Sequence, residues 1–400
     1  MTQPLDAVAS LGFSASERDA LIDLRRDLHR HPELSWREER TAQRLEDTLR
    51  AAGITDIRRV AGTGVIARVR GVDQAAPVVA LRGDIDALPI QEATGLPFQS
   101  VVPGVMHACG HDVHATWAVG AAMLLARLPA HGDVLIVLQP AEEVGNGAPA
   151  ILASGALDGV RAIFGGHVDR RFAVGQVVAE PGPLAASADA FTIEVVGKGA
   201  HGARPHEGID PIVTASAIVV ALQTIVSRRL DPGAAAIVTI GSIHGGSAPN
   251  VIPERVELTG TLRAMVPGVR AALHRELETV ATSVATAHGA TASVAIEQGP
   301  PPIVNPAREA GWARAAAERV LGQGSVVPFG VVNLGGEDFA CYLERIPGCF
   351  LRIGAREPGG DPAPAHSPGF TASEESIFVG AAVLAECARV AGEALRSQRV

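Results

Sequence analysis

The stretch PVVALRGDID, residues 77–86, is a short apolar run that closes on two aspartates, which is the pattern of a buried strand. Runs of the same kind are VIARVRG (65–71), DVLIVLQPAEE (133–143) and VRAIFGGHV (160–168). Between the strands at 77–86 and 133–143, Thr116 to Leu128 has the apolar composition of a buried helix. Strand, helix and strand in this order are typical of a parallel sheet, so the sequence predicts an α/β fold.

The segments around this region extend the prediction to two domains. Glu17 to Ala52 has helical periodicity and ends at Gly53. From 186 to 298 the predicted order of elements changes to βαββαβ, the ferredoxin-like arrangement, and proline-rich stretches flank it. We therefore expect a main domain made of 1–185 and 299–400, with a smaller domain inserted at 186–298. The inserted domain is predicted to have strands at Ala190–Val196, Ala236–His244, Arg255–Arg263 and Ala290–Glu297 and helices at Pro211–Arg228 and Val269–His288.

Composition and charge exclude several classes of partner. The chain has 400 residues, 47% of them hydrophobic, and a formal net charge of -9 with no basic run that could neutralise phosphates or lipid head groups. Neither nucleic acid nor a membrane is therefore expected as a partner. The N-terminal residues lack a basic start followed by an apolar core, so a cytoplasmic protein is expected. The four cysteines form no CxxC pair, and free thiols are expected.

Polar side chains follow three of the predicted strands. Asp84 and Asp86 close the first, Glu142 and Glu143 are placed at the end of the next, and His167 at the end of the third. In open α/β sheets ligands bind at the carboxyl ends of the strands, so we expect these side chains to share a site.

The stretch MHACGHDVH, residues 106–114, adds sulfur and nitrogen ligands. Cys109 and His111 flank one glycine, which leaves the backbone free to turn both side chains toward one centre, as a transition metal requires. The alternative is a buried thiol beside a hydrogen-bonded histidine. Asp86 or Asp112 is expected to orient a ligand histidine, although either aspartate could equally cap a turn.

A loop histidine, His366 in PAHSPGF, completes a set of donors that is too large for one ion. The set is Cys109, His111, Glu143, His167 and His366. Five sulfur, nitrogen and oxygen donors exceed the needs of one tetrahedral zinc and favour two ions a few ångströms apart, with the thiolate able to bridge them.

Seven stretches in order along the chain resemble a known family. They are LHRHPELSWREE (28–39), LRGDIDALPIQE (81–92), MHACGHDVHAT (106–116), LQPAEEVGNGA (138–148), GKGAHGARPHEGIDPI (197–212), APNVIPERVELTGTLR (248–263) and GGEDFACY (335–342). The chain resembles the metal-dependent amidohydrolases that include hippurate hydrolases, N-acyl-amino-acid deacylases and auxin-conjugate hydrolases, within the aminoacylase and carboxypeptidase superfamily. The wider superfamily has His-x-Asp where this chain has Asp84 and Asp86, and an aspartate where it has Cys109, so the resemblance is to the cysteine-containing branch.

This resemblance implies roles for individual residues. It implies a di-metal catalytic domain with an inserted lid domain, the five ligands named above, and Glu142 as general base. His201 of the GAHG motif would stabilise the oxyanion, and in dimeric relatives the partner subunit supplies it. Asn250 and Arg263 would contact the substrate. The two divalent ions per subunit would be zinc or manganese, with cobalt and nickel as further candidates.

The predicted function is hydrolysis of the amide bond of N-acyl-L-amino acids, with a small-molecule substrate and a homodimer formed through the lid domain. One alternative is a metal-dependent dipeptidase or carboxypeptidase. A second is a cysteine hydrolase with Cys109 as nucleophile and His111 as base. A third is a binding protein without catalysis, against which Glu142 argues because a binder has no need of a base beside the ligands.

Overall fold

The structure of the chain, a computed structural model, describes residues 11–357, 359–360 and 364–397. It divides into two compact units: the first takes in the described residues within Met1–Gly182, Asn305–Gly330 and Cys341–Val400, and the second takes in Pro183–Val304 and Val331–Ala340. The predicted domain limits at 185/186 and 298/299 stay a prediction. Residues 1–10, 358, 361–363 and 398–400 of the predicted main domain lie outside the described residues.

The α-helices begin and end as follows: α1 Ala15–Arg30, α2 Glu39–Ala51, α3 His111–Arg127, α4 Gly147–Ala153, α5 Pro211–Thr224, α6 Pro267–Ala287, α7 Ala307–Leu321, α8 Phe339–Leu343 and α9 Glu375–Arg396.

The strands are β1 Ile57–Val60, β2 Gly64–Val69, β3 Val78–Asp84, β4 Val134–Gln139, β5 Val160–Ala173, β6 Val177–Val178, β7 Gly182–Ala185, β8 Asp189–Val196, β9 Ala200–His201, β10 Ala236–Gly245, β11 Val251–Ile252, β12 Arg255–Ala264, β13 Thr291–Glu297, β14 Ile303–Asn305 and β15 Gly348–Arg356.

Among the described residues, the first unit contains a seven-stranded sheet in the order β1-β2-β4-β3-β5-β15-β6. Its centre is parallel, because β3 pairs in parallel with β4 and β5, and β15 pairs in parallel with β5. The predicted α/β class is confirmed, and the flanking strands β1, β2 and β6 add antiparallel edges. The parallel centre brings the carboxyl ends of β3, β4 and β5 to one edge of the sheet.

Two details at this edge differ from the sequence interpretation. Strand β4 ends at Gln139, so Glu142 and Glu143 lie in the following turn and not on the strand. His167 lies in the middle of β5, which continues to Ala173, and not at a strand end. The predicted strand ends were wrong there because the apolar pattern does not show where backbone pairing stops.

The N-terminal helical segment is also interrupted. Helix α1 starts with a capping box between Ser14 and Glu17 and stops at Arg30, and α2 starts only at Glu39. The residues between them, 31–38, leave the helical path and include Trp36 with a φ of 65°. This non-helical segment lies against the site described below.

The second unit has the predicted ferredoxin-like order of elements. Among the described residues its main sheet has four antiparallel strands in the order β10-β12-β8-β13. Helices α5 and α6 pack on the sheet, and apolar side chains such as Ile193, Ile218, Leu258 and Leu277 form a core of their own. The βαββαβ prediction is therefore confirmed.

One helical segment of the described residues, Pro211–Arg229, is long and apolar enough to cross a membrane by length and composition alone, with a mean hydropathy of 1.5. Such a segment is weak evidence for a span, because core helices pass the same test. Ile218, Leu222 and Ile225 of this segment are buried in the core of the second unit.

Helix α9 supports the helix that starts at the site. Gly380 of α9 lies against the Trp117 ring on α3, and that ring stacks on His114 with centroids 4.5 Å apart. A Cβ at Gly380 would overlap Trp117, whereas a Cβ at Gly392 of the same helix would be 3.5 Å from its nearest neighbour.

We expect Gly380→Ala to lower the free energy of unfolding by about 1–3 kcal/mol, because the added methyl group forces Trp117 out of place. Gly392→Ala is the matched control on α9, and it should be neutral or stabilising by roughly 0.5–1 kcal/mol through helix propensity. Urea unfolding of both variants measures the difference. Equal stability of the two variants would contradict the close contact.

Candidate metal centre and active site

Gly110 gives the Cys109-Gly110-His111 segment its shape. It adopts a φ of 99° and caps the N-terminus of α3, so that His111 is the first residue of that helix. A Cβ at Gly110 would come 2.5 Å from Cγ2 of Val168, which excludes a side chain on steric as well as conformational grounds. The single glycine therefore fixes the directions of both flanking side chains.

The structure brings together the five predicted metal ligands and Glu142. Cys109 Sγ lies 3.1 Å from His167 Nε2, and His366 Nε2 lies 3.4 Å from Glu143 Oε2. His111 Nε2 is 3.7 Å from Glu143 Oε1 and 3.8 Å from Glu142 Oε2. Within each of three overlapping groups, the ligand atoms lie within 4.8 Å of one another: Cys109/His111/His167, Cys109/Glu143/His366 and His111/Glu142/Glu143.

The backbone and one aspartate orient the histidines. His111 Nδ1 is 2.9 Å from the carbonyl oxygen of Asp86 and 3.2 Å from its Oδ1, and His167 Nδ1 is 2.7 Å from the carbonyl oxygen of Val168. Hydrogen bonds at Nδ1 leave Nε2 as the ligand atom in both residues. His366 is held through its backbone, whose N–H donates to Ala108, and it adopts a φ of 63°.

The Asp86 carboxylate connects three parts of the chain. Its Oδ1 faces His111, and its Oδ2 accepts hydrogen bonds from the backbone N–H of Glu143 at 3.0 Å and from Ser35 Oγ at 2.7 Å. The alternative role of Asp112 is not observed, since this aspartate contacts Arg25 at 2.7 Å and His29 at 2.9 Å. Asp86 is thus the aspartate that orients a candidate ligand.

A second set of buried contacts, around His114 and Asp84, was not predicted from the sequence. His114 Nδ1 is 2.7 Å from Asp84 Oδ1, its Nε2 accepts the N–H of Val168, and Asp84 also pairs with the buried Arg82. The i, i+3 spacing of His111 and His114 on α3 was the available signal, because it places both rings on the face toward β3.

Burial and neighbouring charges shift the pKa values of the candidate ligands. Burial lowers the pKa of His111, but Asp84 and Cys109 outweigh burial and hold that pKa well above its usual value. Burial raises the pKa of Glu143 to about 7, and burial keeps the pKa of His167 well below its usual range. Burial also raises the pKa of the Cys109 thiol. A bound cation would lower the pKa of this thiol again and favour the thiolate.

Two orphaned atoms show that the donor set fits metal ions. His111 Nε2 and Glu143 Oε1 are buried and have no hydrogen-bond partner among the described residues. A buried polar atom without a partner costs roughly 1–3 kcal/mol, and a cation would remove that cost. Thiolate, imidazole and carboxylate are the ligands that zinc and similar divalent ions prefer.

The predicted residues of the second unit divide into a pair and a separate residue. His201 lies on β9 opposite Val251 of β11, and the Gly202 N–H donates to the carbonyl oxygen of Asn250, so His201 and Asn250 are held close together. Arg263 lies on another strand, β12, with its guanidinium beside Gly336.

A parallel α/β unit that clusters thiol, imidazole and carboxylate side chains, together with a ferredoxin-like unit, is typical of a class of metal-dependent hydrolases. Residues 80–390 match the family model of peptidase family M20/M25/M40, and the chain belongs to this family. The protein is a hydrolase that acts on amide bonds, as the sequence predicted.

Relatives cover nearly the whole chain. An N-acetyl-L-cysteine deacetylase of Bacillus subtilis is 43% identical over 92% of this chain and 87% of its own length. IAA-amino acid hydrolase ILR1-like 4 of Arabidopsis thaliana is 40% identical over 92% of this chain and 85% of its own length. A solved Bacillus subtilis structure, described as a dinuclear metal-binding peptidase of the M20 family, is 38% identical with a TM-score of 0.85, covering 95% of this chain and 99% of that chain.

We expect Asp86→Ala to weaken the binding of Mn²⁺ about 10–100-fold, because His111 loses the carboxylate that orients its ring. Calorimetric titration of chelator-stripped protein with Mn²⁺ measures the affinity. Ser35→Ala is the matched control: it removes another partner of the same carboxylate and should change the affinity by less than about tenfold. Equal losses in the two variants would contradict the role of Asp86.

Proposed function

We propose that the protein hydrolyses the amide bond of N-acyl-L-amino acids and releases a carboxylic acid and a free amino acid. The observation that carries the proposal is the position of Glu142. Its Oε2 lies 3.8 Å from His111 Nε2, beside the five proposed ligands. A carboxylate in that position is suited to proton transfer.

Two divalent ions would be held by Cys109, His111, Glu143, His167 and His366. Bound there, they would lower the pKa of water and polarise the acyl carbonyl group. Zinc or manganese is the proposed metal, with cobalt or nickel as further candidates, because thiolate and imidazole suit zinc and carboxylate suits manganese.

Glu142 would move one proton through the reaction. Its carboxylate takes a proton from the attacking water, whose oxygen forms a bond to the carbonyl carbon. When the tetrahedral intermediate collapses and the C–N bond breaks, the protonated Glu142 gives that proton to the leaving nitrogen. The side chain is about nine-tenths buried, which limits proton exchange with bulk water during the step.

His201 and Asn250 would donate hydrogen bonds to the oxyanion. His201 Nδ1 accepts the N–H of Ala203 at 3.0 Å, so a neutral imidazole carries its proton on Nε2, where it can be donated. One donor of this kind contributes about 3–4 kcal/mol in other hydrolases. Arg263 would bind the carboxylate of the substrate.

The substrate class is supported by the names of the relatives. They are named for N-acetyl-L-cysteine and for IAA-amino acids. The solved relative described as a peptidase supports a second candidate function, a dipeptidase or carboxypeptidase acting on small peptides. A comparison of N-acyl amino acids with unblocked dipeptides separates the two.

We expect chelator-stripped protein to release no free amine from a panel of N-acyl amino acids that includes hippurate, and Mn²⁺, Zn²⁺, Co²⁺ or Ni²⁺ to restore release. Glu142→Gln should lower kcat by about 10²–10⁴-fold at unchanged metal content, because it removes the proton acceptor alone. Glu143→Gln is the matched control next to it and should lose both metal and activity.

Other outcomes would overturn parts of this proposal. Release that resists chelation and is abolished by iodoacetamide would identify Cys109 as a nucleophile, although the raised pKa of its buried thiol argues against that role. Full activity of Glu142→Gln would refute the mechanism. Preference for unblocked dipeptides would establish the peptidase.

We also propose a homodimer formed through the second unit. The outer face of α5 exposes Val213 and Val220, which are 54% and 71% exposed, and β10 is an edge strand of the described sheet with Ile243 47% exposed. An apolar helix face on a unit that also presents a strand edge favours an isologous interface.

Val220→Glu is expected to weaken the dimer about 100-fold or more, since an unpaired charge would be buried in the interface. Sedimentation velocity measures the oligomeric state. Thr279→Glu on the exposed side of α6 serves as control and should leave the dimer intact. A monomeric wild-type protein would refute the proposal.

A further inference from the structure

Glu38 is a buried carboxylate with no role in the mechanism proposed above. It is fully buried and precedes α2, at the end of the segment 31–38. Its Oε1 accepts hydrogen bonds from the backbone N–H groups of Trp36 and Ala141, both at 3.0 Å. Its Oε2 accepts the hydroxyl of Thr63 at 2.6 Å. Three of the roughly four acceptor sites of this carboxylate therefore serve these three groups.

The two backbone groups that share Oε1 belong to strained residues. Trp36 has a φ of 65° and Ala141 a φ of 54°, and both are non-glycine residues in the left-handed region. Such conformations are energetically unfavourable for non-glycine residues and persist only where the surroundings stabilise them. Hydrogen bonds to one oxygen atom of Glu38 stabilise both of these residues.

Ala141 directly precedes Glu142 and Glu143. Its carbonyl oxygen accepts the N–H groups of Asn146 and Gly147, and the carbonyl oxygen of Glu142 accepts the N–H of Gly145, which closes the turn. The conformation of Ala141 thus sets the direction in which the chain leaves β4. A change at Ala141 would move both glutamates together.

We propose that Glu38 is a positioning residue that holds the turn of Glu142 and Glu143 in its working geometry. This inference rests on the roles proposed above for those two glutamates. Glu38 acts through the backbone of Ala141, whereas Asp86 acts on the same turn through the N–H of Glu143. The segment 31–38 contains the first support, Glu38, and contacts the second, Asp86, through Ser35.

The test compares Glu38→Leu with Glu38→Gln. The amide oxygen of glutamine can accept both N–H groups and its NH₂ group can donate to Thr63, whereas leucine leaves all three donors without an acceptor. We expect Glu38→Leu to lower kcat and the affinity for Mn²⁺ about 10–100-fold with little change in KM, and Glu38→Gln to retain both near the wild-type values.

A matched control separates positioning from general stability. Glu309 on α7 is a buried carboxylate of the first unit that pairs with Arg308. Glu309→Leu should lower the melting temperature without lowering kcat or the affinity for Mn²⁺. Glu38→Asp replaces the leucine variant if the latter does not fold, because the shorter side chain keeps the charge but cannot reach both N–H groups.

The measurements also separate this inference from the proposed reaction. The Mn²⁺ titration reports on Glu143 without any substrate, so loss of affinity in Glu38→Leu with retention in Glu38→Gln supports the positioning role even if no N-acyl amino acid is cleaved. Wild-type kcat and Mn²⁺ affinity in Glu38→Leu would overturn it. Failure of Glu38→Gln to retain them would overturn it as well.

Discussion

Repulsion between buried carboxylates is the constraint on which the candidate site depends. His111 Nε2 lies within 4 Å of carboxylate oxygens of Asp84, Glu142 and Glu143. Like charges at such distances in a region of low dielectric destabilise one another unless positive charge stands between them. Negative charge around His111, that of Asp84 foremost, holds the pKa of this imidazole high, so that without a metal ion the site favours a proton there.

A bound cation would take over from this proton. Imidazole binds a metal only as the neutral base, so metal binding and loss of the proton are one exchange. The neighbouring Arg82, fully buried and paired with Asp84, keeps part of the charge balance constant during that exchange. The charge of the three carboxylates thus favours a divalent cation, although only Glu143 among them is a proposed ligand.

Much of this could be predicted from the sequence, and the failures have physical causes. Apolar runs and their polar ends gave the α/β class and placed Glu143 and the aspartates that follow β3 near one edge, because parallel strands align their carboxyl ends. His167 joins them from the middle of β5, and His366 joins them from a loop. The turn after β4 was misread, since alanine carries no signal for the left-handed conformation that Ala141 adopts. Glu38 was missed for a related reason: its contact with the turn is to the backbone N–H of Ala141, far away along the chain, and a backbone partner leaves no trace in residue type. The roles of His201, Asn250 and Arg263 came only from resemblance, because their positions on β9, near β11 and on β12 show nothing of a reaction.

The support of the glutamate turn by residues 31–38 has a consequence for how this site can be transferred or varied. The PAEE sequence alone does not encode its own shape, because the left-handed Ala141 is stabilised from outside the turn. A designer who moved the turn into another α/β scaffold would have to move Glu38 and its short segment with it. Glu38 and the PAEE turn, about a hundred residues apart in sequence, therefore have to be kept or changed together, in design and in evolution alike.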